Sequence, residues 1–211
     1  MTFGYNRKIL RIDLNKESVE IEQPDDVFYR TYWGGRGFGL YYMLKEMKSN
    51  IDPFSKDNLL IFATSVITGN LAPAMPRYTI CAKSPLTGAQ GESEAGGYWG
   101  PELKQAGFDA IIVRGIAKKP CYLWIHDGRV EFRDAAHLWG KETHQVDQLI
   151  KEELGENNIR ICQIGLGGEN KVLFANIVNE LTHFNGRNGL GAVMGSKKLK
   201  AIAVKGSHPI P

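Results

Sequence analysis

The chain has 211 residues and a formal net charge of +3, with 43% hydrophobic and 23% charged residues. This composition is typical of a folded globular protein with one large domain or two small ones. Lysines and arginines are scattered and form no basic block, so we expect no nucleic-acid partner and favour small anionic ligands.

The sequence shows no membrane or secretion signal. No apolar run approaches the roughly 18 residues of a membrane span, and the start, MTFGYNRKILRIDL, lacks the apolar stretch of a signal peptide. We therefore expect a cytoplasmic protein without a membrane partner. Cys81, Cys121 and Cys162 are far apart and form no CxxC pair, so we interpret them as buried, reduced thiols and not as an iron–sulfur or zinc motif.

The predicted elements mix helices and strands along the whole chain. A hairpin over KILRIDL and SVEIEQ is followed by a short helix that Asp25 or Asp26 caps and that runs to Trp33. A second helix is predicted over 40–47, and HQVDQLIKEEL predicts an amphipathic helix that ends at Gly155. The remaining predicted strands are LLIFAT, RYTICA, DAIIVRG, CYLWIH, VEFRD, IRICQIG, KVLFANIV and KAIAVKG.

An internal repeat stands out in this pattern. Residues 96–115, GGYWGPELKQAGFDAIIVRG, and residues 188–206, NGLGAVMGSKKLKAIAVKG, share a glycine turn, a short helix, an apolar strand and a closing basic-Gly pair. We therefore predict an α+β domain of two pseudo-symmetric halves that place their glycine loops and helix N-termini on one face. Helix N-termini offer free N–H donors, so the repeat predicts two equivalent anion sites and a ligand with two anionic ends.

Common nucleotide and catalytic motifs are incomplete. IGLGGEN lacks the full GxGxxG spacing and is followed by a predicted strand, and the sequence contains no GxxxxGK[ST], HExxH or GxSxG. Among the five histidines only His183 is notable, because it lies in the second glycine loop.

The whole chain resembles the N-terminal domain of the tungsten-containing aldehyde:ferredoxin oxidoreductase family. The matching stretches, in the family's order, are GGRGFG, LLIFATSVITGNLAP, PRYTICAKSPLTG, GGYWGPELKQAGFDAIIVRG, RDAAHLWGK, IGLGGEN and GRNGLGAVMGSKKLKAIAVKG. The resemblance implies that residues 1–211 form a base for two molybdopterin molecules that together ligate one tungsten, or molybdenum, with a magnesium ion bridging their phosphates.

The resemblance also assigns site residues. In the first half, it implies cofactor contacts from Arg77, Glu94, Gly96 and Gly97. In the second half, it implies contacts from His183, Phe184, Gly186 and Arg187. Main-chain carbonyls of Glu94 and Phe184 would hold the magnesium.

Three of these positions depart from the family pattern. Glu94 stands where the best-known members have asparagine, His183 replaces an arginine, and Phe184 replaces a small residue. A carboxylate beside a phosphate repels it unless the backbone makes the contact or a cation intervenes. From the residues alone, we favour interpreting Arg187 as a solvated turn arginine, and for Arg77 an ion pair at a strand start explains the residue as well as a ligand contact does.

The resemblance implies an enzyme of anaerobes that oxidises an aldehyde to a carboxylic acid and passes electrons to ferredoxin or another electron-transfer protein. No catalytic residue is expected in these 211 residues, and the family's [4Fe–4S] cluster and substrate channel belong to later helical domains. We therefore expect that this cofactor-carrying domain is inactive by itself. The resemblance is also compatible with a homodimer. Two alternatives remain: a non-catalytic pterin-binding module and an assembly subunit. A reading frame that continues for several hundred residues with a CxxDxxC-like motif would favour the enzyme.

Overall fold

The computed structural model describes residues 4–211, which form twelve strands and six helices. The strands are β1 (Ile9–Asp13), β2 (Ser18–Glu22), β3 (Leu60–Thr64), β4 (Tyr78–Lys83), β5 (Gln90–Ala95), β6 (Ala110–Arg114), β7 (Cys121–His126), β8 (Arg129–Asp134), β9 (Arg160–Ile164), β10 (Ile177–Asn179), β11 (His183–Asn185) and β12 (Leu199–Lys205). The helices are α1 (Asp26–Tyr32), α2 (Arg36–Glu46), α3 (Trp99–Gln105), α4 (Thr143–Leu154), α5 (Leu166–Glu169) and α6 (Leu190–Ser196).

The strands form two six-stranded sheets with the same topology. The first has the order β2-β1-β6-β3-β4-β5, and the second, written in the matching direction, has the order β8-β7-β12-β9-β10-β11. In each sheet the first hairpin strand pairs parallel with the last strand of that half, and the other neighbours are antiparallel. The predicted α+β fold and its duplication are confirmed, and the duplication extends over both halves of the chain.

The strand register identifies equivalent positions in the two halves. The segments AIIVRG and AIAVKG align Ala110 with Ala201, each five residues after the end of its helix. From these two residues, the pairing runs through Ala110, Ala63, Thr79 and Glu94 in the first half and through Ala201, Gln163, Val178 and Phe184 in the second. Glu94 and Phe184 are therefore equivalent positions on the edge strands β5 and β11.

Three apolar clusters hold the layers together. The central cluster combines inward-facing residues of both sheets with α3 and α6, including Phe62, Trp99, Leu190 and Ile202, so these two helices lie between the sheets. Alternate residues of the first sheet face outward and pack against α1 and α2. The outer face of the second sheet packs against α4. This alternation is the period-two pattern expected of strands that are buried on both faces.

Local signals account for several of the observed boundaries. Asp25 is the N-cap of α1 and accepts a hydrogen bond from the Phe28 N–H at 2.9 Å, and Gly155 ends α4 in the left-handed conformation. The hairpin of β1 and β2 is confirmed. Cys81 and Cys162 are buried, Cys121 is half-buried, and all three are free thiols. Within residues 4–211, no helix combines the length and apolar character needed to cross a membrane.

Four predictions of local structure were wrong. The segment KVLFANIV is mostly loop, and only Ile177–Asn179 is strand. The polar strand β5 and the short strand β11 were not predicted, and α2 begins at Arg36, four residues earlier than expected. Both missed strands are edge strands beside the glycine loops, where tertiary pairing overrides weak strand propensity.

Candidate functional site

A cleft opens where the edge strands of the two sheets meet. The side-chain amide of Asn185 on β11 donates to the Ser93 carbonyl on β5 at 2.8 Å, and the amide of Asn188 donates to the Glu92 carbonyl at 2.7 Å. These contacts hold the two halves together below a cleft of about 440 Å³. Its walls are formed by Arg36, Arg77, Glu92, Ser93, Glu94, Phe184, Gly186 and Arg187.

The structure brings the predicted site residues of both halves together on one face. Arg77, Glu94, Phe184, Gly186 and Arg187 all line the cleft. The other three predicted residues lie beside it, at the end of β5 and the start of β11. A Cβ placed on Gly96 would lie 3.6 Å from Cδ2 of His183, and one placed on Gly97 would lie 3.1 Å from its Nδ1. Their role in binding a cofactor stays a prediction.

Charged side chains pair across the cleft. Arg36 Nη2 lies 3.2 Å from Glu92 Oε1 and 3.6 Å from Glu94 Oε1, and Arg77 Nη1 lies 4.0 Å from Glu94 Oε2. The ion pair considered for Arg77 is thus present. Within the described part of the chain, no carboxylate lies within ion-pair distance of Arg187. Three guanidinium groups facing two carboxylates give the cleft an excess of positive charge.

At the N-termini of α3 and α6, where the sequence predicts anion sites, one backbone N–H at each end already has a partner within the chain. At α3, the Tyr98 N–H donates to both carboxylate oxygens of Glu180, at 3.1 and 2.9 Å. At α6, the Gly191 N–H donates to the Ala175 carbonyl at 2.9 Å. The positive groups that line the cleft itself are the side chains of Arg36, Arg77 and Arg187.

Glu180 connects the second half to the first glycine loop. Burial raises the pKa of Glu180, although the Tyr98 N–H and the charge of Arg160 act in the opposite direction. The carboxylate fits there because residue 97 has no side chain: a Cβ on Gly97 would lie 2.3 Å from Glu180 Oε2. The amide of Asn179 also donates to the Gly96 carbonyl at 3.0 Å. Residues of β10 and the following turn thus fix the first glycine loop.

The cleft offers several features that a flat ligand with anionic ends would need. The backbone at Gly186 is open, since a Cβ placed there would lie no closer than 3.8 Å to its surroundings, so a ligand can approach the main chain. The Phe184 ring, 53% exposed, presents a flat apolar surface. These features fit a phosphorylated heterocycle.

Arg36, Glu92 and Ser93 are cleft residues that sequence reasoning missed. The signal for Arg36 was present, because GGRGFG places an arginine among glycines directly before a helix, as GRNGLG does for Arg187. The signal for Glu92 and Ser93 was hidden, because their strand was not predicted. In the described residues, no three side chains of His, Cys, Asp or Glu are grouped as metal ligands.

Comparison with known proteins begins with the fold. The chain superimposes with a TM-score of 0.96 and 38% sequence identity on a chain of the active site complex BamBC of benzoyl coenzyme A reductase in complex with 1,5-dienoyl-CoA, over 100% of this chain and 32% of that one. The duplicated double-sheet domain thus has the same fold as about a third of that longer chain. The family model "Aldehyde ferredoxin oxidoreductase, N-terminal domain" matches residues 9–206, so the chain belongs to this family. The resemblance drawn from the sequence is confirmed.

Curated relatives are similar over nearly the whole chain. The tungsten-containing aldehyde ferredoxin oxidoreductase of Pyrococcus abyssi is 50% identical over 204 residues, which are 97% of this chain and 34% of the relative. The aliphatic sulfonate oxidoreductase, WOR-like subunit, of Pyrococcus furiosus is 41% identical over 225 aligned residues, 99% of this chain and 36% of the relative. The chain therefore spans about a third of the length of the relatives that it matches.

Proposed function

We propose that this domain is the base that holds a bis-molybdopterin tungsten, or molybdenum, cofactor in an oxidoreductase that converts aldehydes to carboxylic acids with ferredoxin as electron acceptor. Relatives named as tungsten-containing aldehyde ferredoxin oxidoreductases are 44–50% identical to the chain, which supports this cofactor and this substrate class. The observation that carries the proposal is the cleft between the two halves, where arginines of both halves face one space.

The duplication suits a ligand with two similar parts. Arg77 would bind a phosphate or pterin on the first half, and Arg187 would do so on the second. Backbone at Gly96 and Gly186 would let the ligand approach closely, while Gly97, whose Cβ position is occupied by Glu180, would shape the first glycine loop beside the ligand. When bound, the metal–pterin group supplies the redox chemistry, while the residues of this chain bind and orient it.

The proposed magnesium position also follows the duplication. Glu94 and Phe184 are equivalent in the strand register, so their main-chain carbonyls would hold the ion with one residue from each half. Main-chain carbonyls make this contact independent of the side chain, which is consistent with glutamate and phenylalanine at these two positions. The negative side chain of Glu94 is meanwhile offset by Arg36 and Arg77.

The test is Arg187→Ala in the full-length protein. Loss of a charge-assisted contact costs about 1.5 to 3 kcal/mol, which corresponds to a roughly tenfold or greater loss of affinity. We expect lower tungsten and pterin content by mass spectrometry, with partial recovery in Arg187→Lys because the ammonium keeps the charge but loses the planar fork. Arg129→Ala, an exposed arginine on the far edge strand β8, is the matched control.

Circular dichroism establishes that each variant is folded. Full tungsten loading of folded Arg187→Ala would remove this residue from the site, and loss of folding would make it structural. The 211-residue chain alone is expected to show no aldehyde oxidation, because electron exit and exclusion of water require the rest of the enzyme. Turnover by the isolated chain would contradict the proposal that the reaction requires the rest of the enzyme.

A further inference from the structure

We propose that Arg36 is a further phosphoryl-binding residue of the cleft. Without a ligand, Glu94 forms ion pairs with both Arg36 and Arg77, and an anionic ligand displaces this carboxylate from the two arginines. The inference rests on the proposed function and concerns the same cleft. It assigns a role to one residue outside the predicted set and to the glutamate that departs from the family pattern.

The backbone fixes where the Arg36 side chain begins. Arg36 is the first residue of α2, and the preceding Gly35 N–H donates to the Thr64 carbonyl at 2.9 Å. A Cβ on Gly34 would lie 2.2 Å from that carbonyl oxygen, so only glycine permits this approach of the turn to the end of β3. The turn therefore holds Arg36 at the cleft wall in the absence of a ligand.

Two glutamates on one face of β5 meet this arginine. Glu92 and Glu94 are two residues apart on a strand, so their side chains point to the same side. The Arg36 guanidinium lies 3.2 Å from Glu92 and 3.6 Å from Glu94, and the other oxygen of Glu94 lies 4.0 Å from Arg77. Glu94 thus bridges two arginines that come from different loops of the first half.

The bridge is weak enough for a ligand to open. The side chains of Arg36, Arg77 and Glu94 are 62%, 61% and 41% exposed, and ion pairs with this exposure contribute little to stability. A phosphoryl group carries more charge than a carboxylate and binds a guanidinium through two parallel hydrogen bonds. Among the described residues, the Glu94 side chain has no partner besides Arg36 and Arg77, so its displacement breaks no other contact.

Glu94 consequently acts as an internal competitor for the ligand. Its removal should strengthen binding of a phosphoryl anion, because Arg77 loses its carboxylate partner, Arg36 keeps only Glu92 at 3.2 Å, and one repelling charge disappears. Removal of Arg36 should weaken binding. A purely structural ion pair predicts neither change, since β5 is held to β4 by backbone hydrogen bonds that do not involve this side chain.

The experiment measures inorganic pyrophosphate binding to the cofactor-free 211-residue chain by isothermal titration calorimetry in low-salt, magnesium-free buffer. We expect Glu94→Gln to bind about tenfold more tightly than the wild type and Arg36→Ala to bind about tenfold more weakly. Glu20→Gln on the far edge strand β2 and Arg129→Ala on β8 are the matched controls and should not change the affinity. Circular dichroism and urea unfolding verify that each variant is folded, and Arg36→Gln serves as a second variant if Arg36→Ala is not.

The outcomes separate this inference from the proposed function. Unchanged affinity in Glu94→Gln or in folded Arg36→Ala, combined with weaker binding by Arg187→Ala, overturns the role of Arg36 and Glu94 and leaves the cleft intact. Failure of every variant, Glu94→Gln included, to bind pyrophosphate overturns the anion cleft itself. Binding that is detectable only in Glu94→Gln supports the competition in its strongest form.

Discussion

Gly97→Ala should destabilise the domain through a contact between its two halves. Gly97 has φ +85°, and a Cβ there would lie 2.3 Å from Oε2 of Glu180. The carboxylate of Glu180 would have to move away from the Tyr98 N–H, to which it is hydrogen-bonded at 2.9 and 3.1 Å. The substitution thus adds backbone strain in the left-handed region and breaks a half-to-half hydrogen bond.

The two costs can be separated with a matched glycine. A left-handed conformation costs alanine about 1 to 2 kcal/mol, and loss of a hydrogen bond to a charged group costs about 1.5 to 3 kcal/mol. We expect Gly97→Ala to lower the free energy of unfolding by the sum, about 2.5 to 5 kcal/mol. Gly107 has φ +96° and nothing within 4 Å of its Cβ position, so Gly107→Ala should show only the backbone cost.

The assay is urea unfolding followed by circular dichroism, with thermal melts as a second measurement. In a domain of this size, 1 kcal/mol corresponds to about 2 to 4 °C in Tm. In a Glu180→Ala background, Gly97→Ala should fall towards the cost seen for Gly107→Ala, because the clashing carboxylate is gone and only the contacts with Asn179 Oδ1 and His183 Nδ1, each at 3.1 Å, are left. Equal destabilisation by Gly97→Ala and Gly107→Ala in the wild-type background would refute the role given to Glu180.

Two further predictions concern buried lysines. Lys200→Met should lower the free energy of unfolding by about 3 to 5 kcal/mol, because the side chains of Lys200 and its ion-pair partner Glu169 are 0% and 5% exposed and the carboxylate would lose its counter-charge. The double variant with Glu169→Gln should regain part of this stability in urea unfolding. A double variant whose loss equals the sum of the two single losses would contradict the pairing. Burial lowers the pKa of Lys104 and of Lys197 from 10.5 to about 8, so between pH 8 and 10.5 the unfolded chain binds more protons, and the free energy of unfolding should rise by about 1 kcal/mol per pH unit for each lysine. Replacing both lysines by methionine should flatten the profile, and an unchanged slope would show that the lysines are not its source.

The sequence predicted the duplication because the repeat preserves a backbone pattern of glycine turn, helix and buried strand. It predicted five cleft residues through the resemblance, and Arg187 stood out from its glycine cluster alone. It did not predict β5, whose segment QGESEA has little strand propensity and is held by pairing with β4. It also could not show that Glu180 accepts a hydrogen bond from the Tyr98 N–H at the start of α3, since the two residues are 82 positions apart in the sequence and meet only in the fold.

The contacts between the two halves determine how the domain unfolds. The Trp99 indole N–H of α3 donates to the Ile202 carbonyl of β12 at 3.0 Å, and the Gly206 N–H donates to the Glu102 side chain at 2.9 Å. The helix of the first half is therefore part of the hydrophobic core that the second half needs, and α6 serves the first half in the same way. Unfolding of either half exposes the core of the other, so the two repeats melt as one cooperative unit. A ligand that binds in the cleft only when both halves are folded therefore stabilises the whole domain against unfolding, and not one half alone.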